Sequence, residues 1–240
     1  MVFKIVALEK VAKSLNVNLI HIDMEVGDTK KQWRSPVTRD WVSVEDALLH
    51  KCQTAGWRGY SGEGGLILNL IKAMSFPKLS SRHSSVFIEA LYSQNVAFEE
   101  DIFEVDWMLK NIRKTSARQI KKNFAVMATR KFKDDFRRRR TVNRLEFFPT
   151  LEEWMCVEFF RTVGNQTVHD IAKIFATDSY KYRAGWPDVT VWKDGKVRFL
   201  EVKSRGDSVH KSQKQVINDI IKPLQLPFAL VDVSPAKTAG

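Results

Sequence analysis

The dipeptide Asp194-Gly195 stands between two strand-like runs, Asp188-Val189-Thr190-Val191-Trp192 and Val197 to Lys203. Asp-Gly is a strong signal for a two-residue turn, because both turn positions need a positive φ that these residues tolerate. An antiparallel hairpin is therefore predicted here. Downstream, Ser212 to Lys222 reads as a helix stopped by Pro223. Phe228-Ala229-Leu230-Val231-Asp232-Val233 then reads as a mostly apolar strand, which suits a buried position in a sheet. The order strand, hairpin, strand, helix, strand predicts an α/β fold, with a small mixed sheet flanked by helices.

Helices are expected before that core. Ser43-Val44-Glu45-Asp46 is a helix-start pattern, and Gly56 ends that helix. Gly59-Tyr60-Ser61-Gly62-Glu63-Gly64-Gly65 is a glycine-rich turn that leads into the apolar run Leu66 to Ile71, with Glu63 at the junction. Helices are predicted over 83–112 and from 115 to about 140, where Ile120, Phe124, Met127, Ala128, Phe132 and Phe136 recur at three- and four-residue steps. Thr150 with Glu153, and Thr167 with Asp170, read as further helix starts. Residues 1–40 are less informative: Val17 to Met24 alternates like a strand, and 25–40 is polar and loop-like. The expected division is an N-terminal segment 1–40, a helical region 41–178 and an α/β core 179–240.

Charge narrows the partner. The 240-residue chain carries a net charge of +11. Residues 111–144 hold thirteen basic side chains against two acids, which accounts for the whole excess. A solvated helix face usually mixes signs, because like charges four residues apart repel. Phosphate contact explains the imbalance better, and a basic amphipathic helix on an acidic membrane surface is the alternative. Cys52 and Cys156 lack a second Cys or a His at metal-ligand spacing, so they read as free thiols in a reducing compartment rather than a zinc site. Lys4, Glu9, Lys10 and Lys13 interrupt the N-terminus, and no apolar stretch is long enough to span a bilayer. A soluble intracellular protein is expected.

The chemistry-bearing residues lie on the hairpin. Glu201 and Lys203, two apart on a strand, share a face, and the hairpin brings Asp188 alongside them. Two carboxylates suit a hard cation such as Mg²⁺ or Mn²⁺. A neighbouring lysine can orient or help deprotonate an attacking water and offset charge built up at phosphorus. Spacing alone leaves an exposed Glu–Lys pair open as a reading. Gln213, at the start of the following helix, adds to the catalytic one.

Arg183-Ala184-Gly185-Trp186-Pro187-Asp188-Val189-Thr190-Val191-Trp192, then Phe199-Leu200-Glu201-Val202-Lys203, Gly206-Asp207 and Ser212-Gln213, resembles a virus-type replication-repair nuclease (VRR-NUC) domain of the PD-(D/E)xK superfamily over roughly 180–233. Upstream, Ala55-Gly56-Trp57 with Gly62-Glu63-Gly64-Gly65 is similar to the segment preceding this domain in the Fanconi-associated nuclease family. The resemblance implies a restriction-endonuclease-like core. It implies metal contact by Glu63, Asp188, Glu201 and the main-chain carbonyl of Val202, with Lys203 as catalytic lysine and Gln213 in support. Read without it, Glu63 is a helix-start acid. The implied reaction is metal-dependent hydrolysis of flap, branched or junction DNA, leaving a 5′-phosphate and a 3′-hydroxyl. A basic helix would lead DNA to the site through Lys121, Lys122, Arg130, Lys133, Arg137, Arg138, Arg139 and Arg140, together with Arg183. The larger eukaryotic members carry further domains before the nuclease, which a 240-residue chain is expected to lack. A restriction-type or junction-resolving endonuclease, and a non-catalytic DNA-binding module, are the competing readings.

Overall fold

The computed structural model describes residues 2–29, 31–78, 105–129, 131–134, 140–143 and 148–236. The chain forms two compact units: residues 1–63 together with 184–240, and residues 64–183.

The first unit is built on a five-stranded mixed sheet in the order β1 (Asn18–Met24), β9 (Phe228–Pro235), β8 (Lys196–Lys203), β7 (Val189–Lys193), β4 (Arg58–Ser61). The expected hairpin is present: β7 (Val189–Lys193) and β8 (Lys196–Lys203) pair antiparallel. Asp194 (φ 49°) and Gly195 (φ 73°) turn between them in the left-handed region. β9 (Phe228–Pro235) lies parallel to β8 with its middle buried. Its other neighbour is β1 (Asn18–Met24), also parallel. The N-terminal segment thus contributes to the sheet layer: α1 (Val2–Leu15) packs on one face, and β1 forms an edge. β4 (Arg58–Ser61) forms the opposite edge, antiparallel to β7.

Alternation along the strands sorts side chains onto two faces. Val189, Val191, Leu200, Val202, Val231 and Val233 point toward Ala47 and Leu48 of α2 (Val44–Thr54). Leu230 points the other way, into a core with Leu8, Ala12 and Leu15 of α1 and Ile217. Ser43 caps α2 as predicted, its Oγ accepting from the Asp46 N–H at 3.1 Å. The turn expected over 59–65 proves to be half strand. Gly59 lets α2 and the sheet approach, since a Cβ there would lie 2.7 Å from the Val191 side chain and 2.8 Å from that of Leu49. The loop expected over 25–40 holds one short strand, β2 (Trp33–Arg34), which pairs with β3 (Trp41–Val42) just beyond it. After β8, α7 (Lys211–Val216) runs into a π-helical turn, Ile217–Ile221, before Pro223.

The second unit is mainly helical: α3 (Gly65–Ser75), α4 (Val105–Lys114), α5 (Ala117–Thr129) and α6 (Glu153–Thr177). Asn123 and Asn165 tie it together. Asn123 donates to the Ala73 and Phe76 carbonyls at 2.8 and 2.7 Å, and Asn165 to those of Ile112 and Thr115 at 2.8 Å. The helix predicted to run from 115 to about 140 ends at Thr129. β5 (Lys131–Asp134) pairs antiparallel with β6 (Arg140–Asn143) beyond it. Lys131-Phe132-Lys133-Asp134 alternates with period two, and like charges on successive turns work against helix there. The Thr150 cap is not formed: α6 is entered through Glu152 without a side-chain cap. Thr167 lies inside α6, and the break lies at Gly164, whose φ of 77° interrupts the helix. Most of the helix expected over 83–112 lies outside the described residues.

Candidate active site

Asp188 immediately precedes β7, where the Val189–Leu200 register sets it opposite Glu201 on the next strand. The Val202 N–H donates to Asp188 Oδ2 at 2.8 Å, fixing the carboxylate against β8. On the other side, the Gly62 N–H donates to the Asp188 carbonyl at 3.0 Å. Glu201 is 1 % exposed and Lys203 5 %, on the sheet face opposite α2. Lys203 Nζ donates to Glu201 Oε1 at 2.6 Å. Gln213 Nε2 donates to the same oxygen, while its Oε1 accepts from the His210 N–H at 2.8 Å in a capping box at the start of α7. The Gln213 amide is thus held at both ends.

Two carboxyls sit side by side with little water to solvate them. Burial pushes the Asp188 carboxyl above the usual carboxylate range, against the Val202 N–H, its hydrogen bond with Glu201 and the charge of Lys203, which pull it down; Glu45 adds to the rise. Burial raises Glu201 further, to about 9, with the Asp188 charge adding and Lys203 opposing. The pair is poorly accommodated as two bare anions, so a proton or a cation between them relieves it.

Glu63 reaches this region from over a hundred residues away. Its Oε1 accepts from the Gly185 N–H at 2.8 Å. Glu63 has φ 45°, a conformation that glycine adopts more easily. Such strain is retained where the side chain is needed in place. Gly185 has φ 89°, and a Cβ there would lie 2.3 Å from the Ser212 carbonyl carbon. Its bare backbone lets the start of α7, and with it Gln213, close onto the strand entry.

Of the expected site residues, Asp188, Glu201, Val202, Lys203 and Gln213 come together as one hydrogen-bonded group. Glu63 is tied to the segment just before Asp188. Among the described residues, no set of three His, Cys, Asp or Glu side chains is gathered tightly enough to form a ready cation site. The donor set still fits a hard cation: two adjacent oxygen ligands whose paired charges disfavour each other. Glu45 was missed by sequence reasoning. Its place in a helix-start tetrapeptide reads as capping, and only the fold reveals that its charge reaches Asp188.

The expected DNA-binding residues lie in the helical unit. Lys121 and Lys122 are exposed on α5, with Lys121 Nζ 3.2 Å from Glu153 Oε1. Arg183 is exposed, its guanidinium 3.5 Å above the Tyr180 ring. The side chains of Arg130, Lys133, Arg137, Arg138, Arg139 and Arg140 lie outside the described residues.

A mixed sheet with Asp before one strand and Glu-x-Lys ending the next defines a protein of the restriction-endonuclease-like α/β class. The VRR-NUC domain model matches residues 108–235, reaching well upstream of the expected 180–233, and the chain belongs to that family. The Fanconi-associated nuclease 1 homolog of Schizosaccharomyces pombe is 25 % identical over 197 residues, spanning 79 % of this chain and 27 % of that protein. A crystal structure of paFAN1 bound to DNA with a two-nucleotide 5′ flap and a gap shares the fold, with TM-score 0.60 and 16 % identity over 92 % of this chain and 38 % of that one. A second paFAN1 structure, on a one-nucleotide 5′ flap with a gap, gives TM-score 0.59 at the same identity and coverage. The chain thus spans well under half the length of these relatives. No helix among the described residues is long and apolar enough to cross a membrane.

Proposed function

We propose that this chain is a structure-selective, Mg²⁺- or Mn²⁺-dependent DNA nuclease that hydrolyses phosphodiester bonds in flap or branched DNA during repair or replication inside the cell. The observation that carries the reading is the buried Asp188–Glu201 pair with Lys203 Nζ at 2.6 Å from Glu201. Such a triad costs stability and has no packing purpose. Family membership and the flap-bound neighbours support the same substrate class.

Asp188, Glu201, the Val202 carbonyl and Glu63 would hold the cation. Bound there, it would polarise the phosphoryl oxygen and acidify a water. Lys203 would orient that water and offset the charge arising at phosphorus. Gln213 would keep Glu201 aimed, since it fixes Oε1 from the α7 side. Lys121, Lys122, Arg183 and the basic segment over 130–140 would contribute sequence-independent phosphate contacts.

The test uses purified chain with Mg²⁺ or Mn²⁺ and labelled duplex, 5′-flap and four-way-junction DNA. Cleavage positioned by the branch point is expected. Discrete sequence-defined fragments from a plasmid would favour a restriction-type enzyme. Salt-dependent binding without cleavage under any divalent metal would favour a DNA-binding module.

A further inference from the structure

The sheet face that carries Glu201 and Lys203 continues past them in a polar row. Asp232 on β9 is in parallel register with Lys203 on β8 and with His21 on β1. Register partners point to the same face, so Lys203, Asp232 and His21 form a line across three strands. On the α1 side of this row the face is apolar, with Leu19, Leu230 and Phe228 in its core. Asp232 interrupts the apolar run of β9 with a carboxylate only 6 % exposed. A buried carboxylate costs more than the valine or leucine that would extend that core, unless it has a job.

His21 partners it, with Nδ1 3.2 Å from Asp232 Oδ2. A carboxylate only accepts, so Nδ1–H donates to Asp232 and the ring is held with Nε2 facing away from it. The other ring nitrogen, Nε2, makes no hydrogen bond among the described residues. The His21 side chain is 49 % exposed while that of Asp232 is 8 % exposed, so the imidazole forms the open end of the pair. This is how a carboxylate orients a working imidazole. Two strand spacings put the His21 backbone roughly 10 Å from that of Lys203, close enough for one DNA strand to touch both.

We propose that His21, oriented by Asp232, is a phosphate-contacting residue that grips the DNA backbone next to the bond being cut. Nδ1–H stays on Asp232, and an N–H at Nε2 donates to a non-bridging phosphate oxygen, whose charge strengthens the contact. Asp232 is a positioning residue: it acts through the imidazole. The proposal rests on the nuclease reading for its choice of ligand.

The experiment is a binding scan, kept separate from cleavage by using Ca²⁺ in place of Mg²⁺. A 5′-flap duplex carries a single neutral methylphosphonate, moved one position at a time around the junction. Wild type should lose roughly tenfold in affinity at one or two positions, and His21→Ala should lose nothing further at those same positions. His21→Ala should lose that tenfold on unmodified DNA, and Asp232→Asn should lose part of it at the same phosphates. Thermal midpoints establish that each variant is folded; if Asp232→Asn is not, His21→Ala decides alone. A merely structural pair predicts equal losses for wild type and His21→Ala at every position, which overturns the proposal. Wild type that binds none of these DNAs overturns it too. Wild type that binds but never cleaves with Mg²⁺ or Mn²⁺ defeats the nuclease reading, while the scan still decides the role of His21.

Discussion

Glu63 Oε1 accepts a hydrogen bond from the Gly185 backbone N–H across 122 positions of the chain. The contact joins the turn after β4 to the segment that delivers Asp188, so a brace and a metal ligand are both compatible with its geometry. Glu63→Gln separates them. Glutamine keeps the acceptor for Gly185 but removes the charge a cation needs. We expect an unchanged thermal midpoint and a loss of cleavage of about 100-fold, on the scale of removing one charged transition-state contact. Retained activity in Glu63→Gln would reduce Glu63 to a brace.

Gly185 itself is expected to tolerate no side chain. Gly185→Ala places a Cβ 2.3 Å from the Ser212 backbone at a φ of 89°. Relief requires the start of α7 to move, which carries Gln213 away from Glu201. The expected cost is about 2 kcal/mol or more, read from the denaturant midpoint, with cleavage falling in parallel.

Gln213→Ala is expected to lower the rate constant for cleavage by roughly 10–100-fold while leaving DNA affinity near wild type, because Gln213 acts on Glu201 rather than on DNA. Single-turnover rates against binding constants check this split. A purely affinity-driven loss would contradict the positioning role.

Stability should depend on pH in a definite direction. Glu201 is held up at about 9 in the fold against an ordinary 4.5, and Asp188 is raised as well. The folded state therefore favours the protonated acids. Their contribution is full below about pH 4.5 and is lost as pH rises through about 9. Metal-free protein in EDTA should become less stable between pH 5 and 9, and Glu201→Gln should flatten that slope. Added Mn²⁺ should raise the thermal midpoint more at pH 8 than at pH 6. A midpoint that rises with pH across this window in EDTA would contradict the arrangement.

Much of the geometry of this candidate site is legible in the sequence, and the reasons are local. Asp194-Gly195 announced its turn because few dipeptides accept two positive φ values. Ser43 announced α2 because its hydroxyl caps the Asp46 N–H. Glu201 and Lys203 followed from strand alternation. What could not be read depends on distant partners. β4 escaped because Gly59 is dictated by the closeness of Leu49 and Val191, not by its neighbours in sequence. β1 was visible as a strand, but its parallel docking beside β9 was not. Helical spacing carried the prediction too far beyond Thr129, because the apolar positions at 120, 124 and 127 continue in phase to Phe132. Glu63 entered through resemblance alone; no periodicity links it to Gly185.

Salt dependence should distinguish the exposed lysines. Lys121 already pairs with Glu153 at 3.2 Å, whereas Lys122 makes no ion pair among the described residues. Lys122→Ala should therefore reduce the slope of log affinity against log salt by nearly one unit, as expected for one lost phosphate contact. Lys121→Ala should reduce it less. Equal slopes for both variants and wild type would remove α5 from the DNA interface.

The Asp188–Glu201 pair is expected to support metal-dependent hydrolysis. The most direct measurement is the single-turnover cleavage of an end-labelled 5′-flap duplex in Mn²⁺ by wild type and by Asp188→Asn. Asparagine preserves the shape and the hydrogen bond from Val202 but not the charge. Branch-directed cleavage by wild type, abolished in a folded Asp188→Asn protein that still binds the flap, is the predicted result. Undiminished cleavage by Asp188→Asn would contradict it.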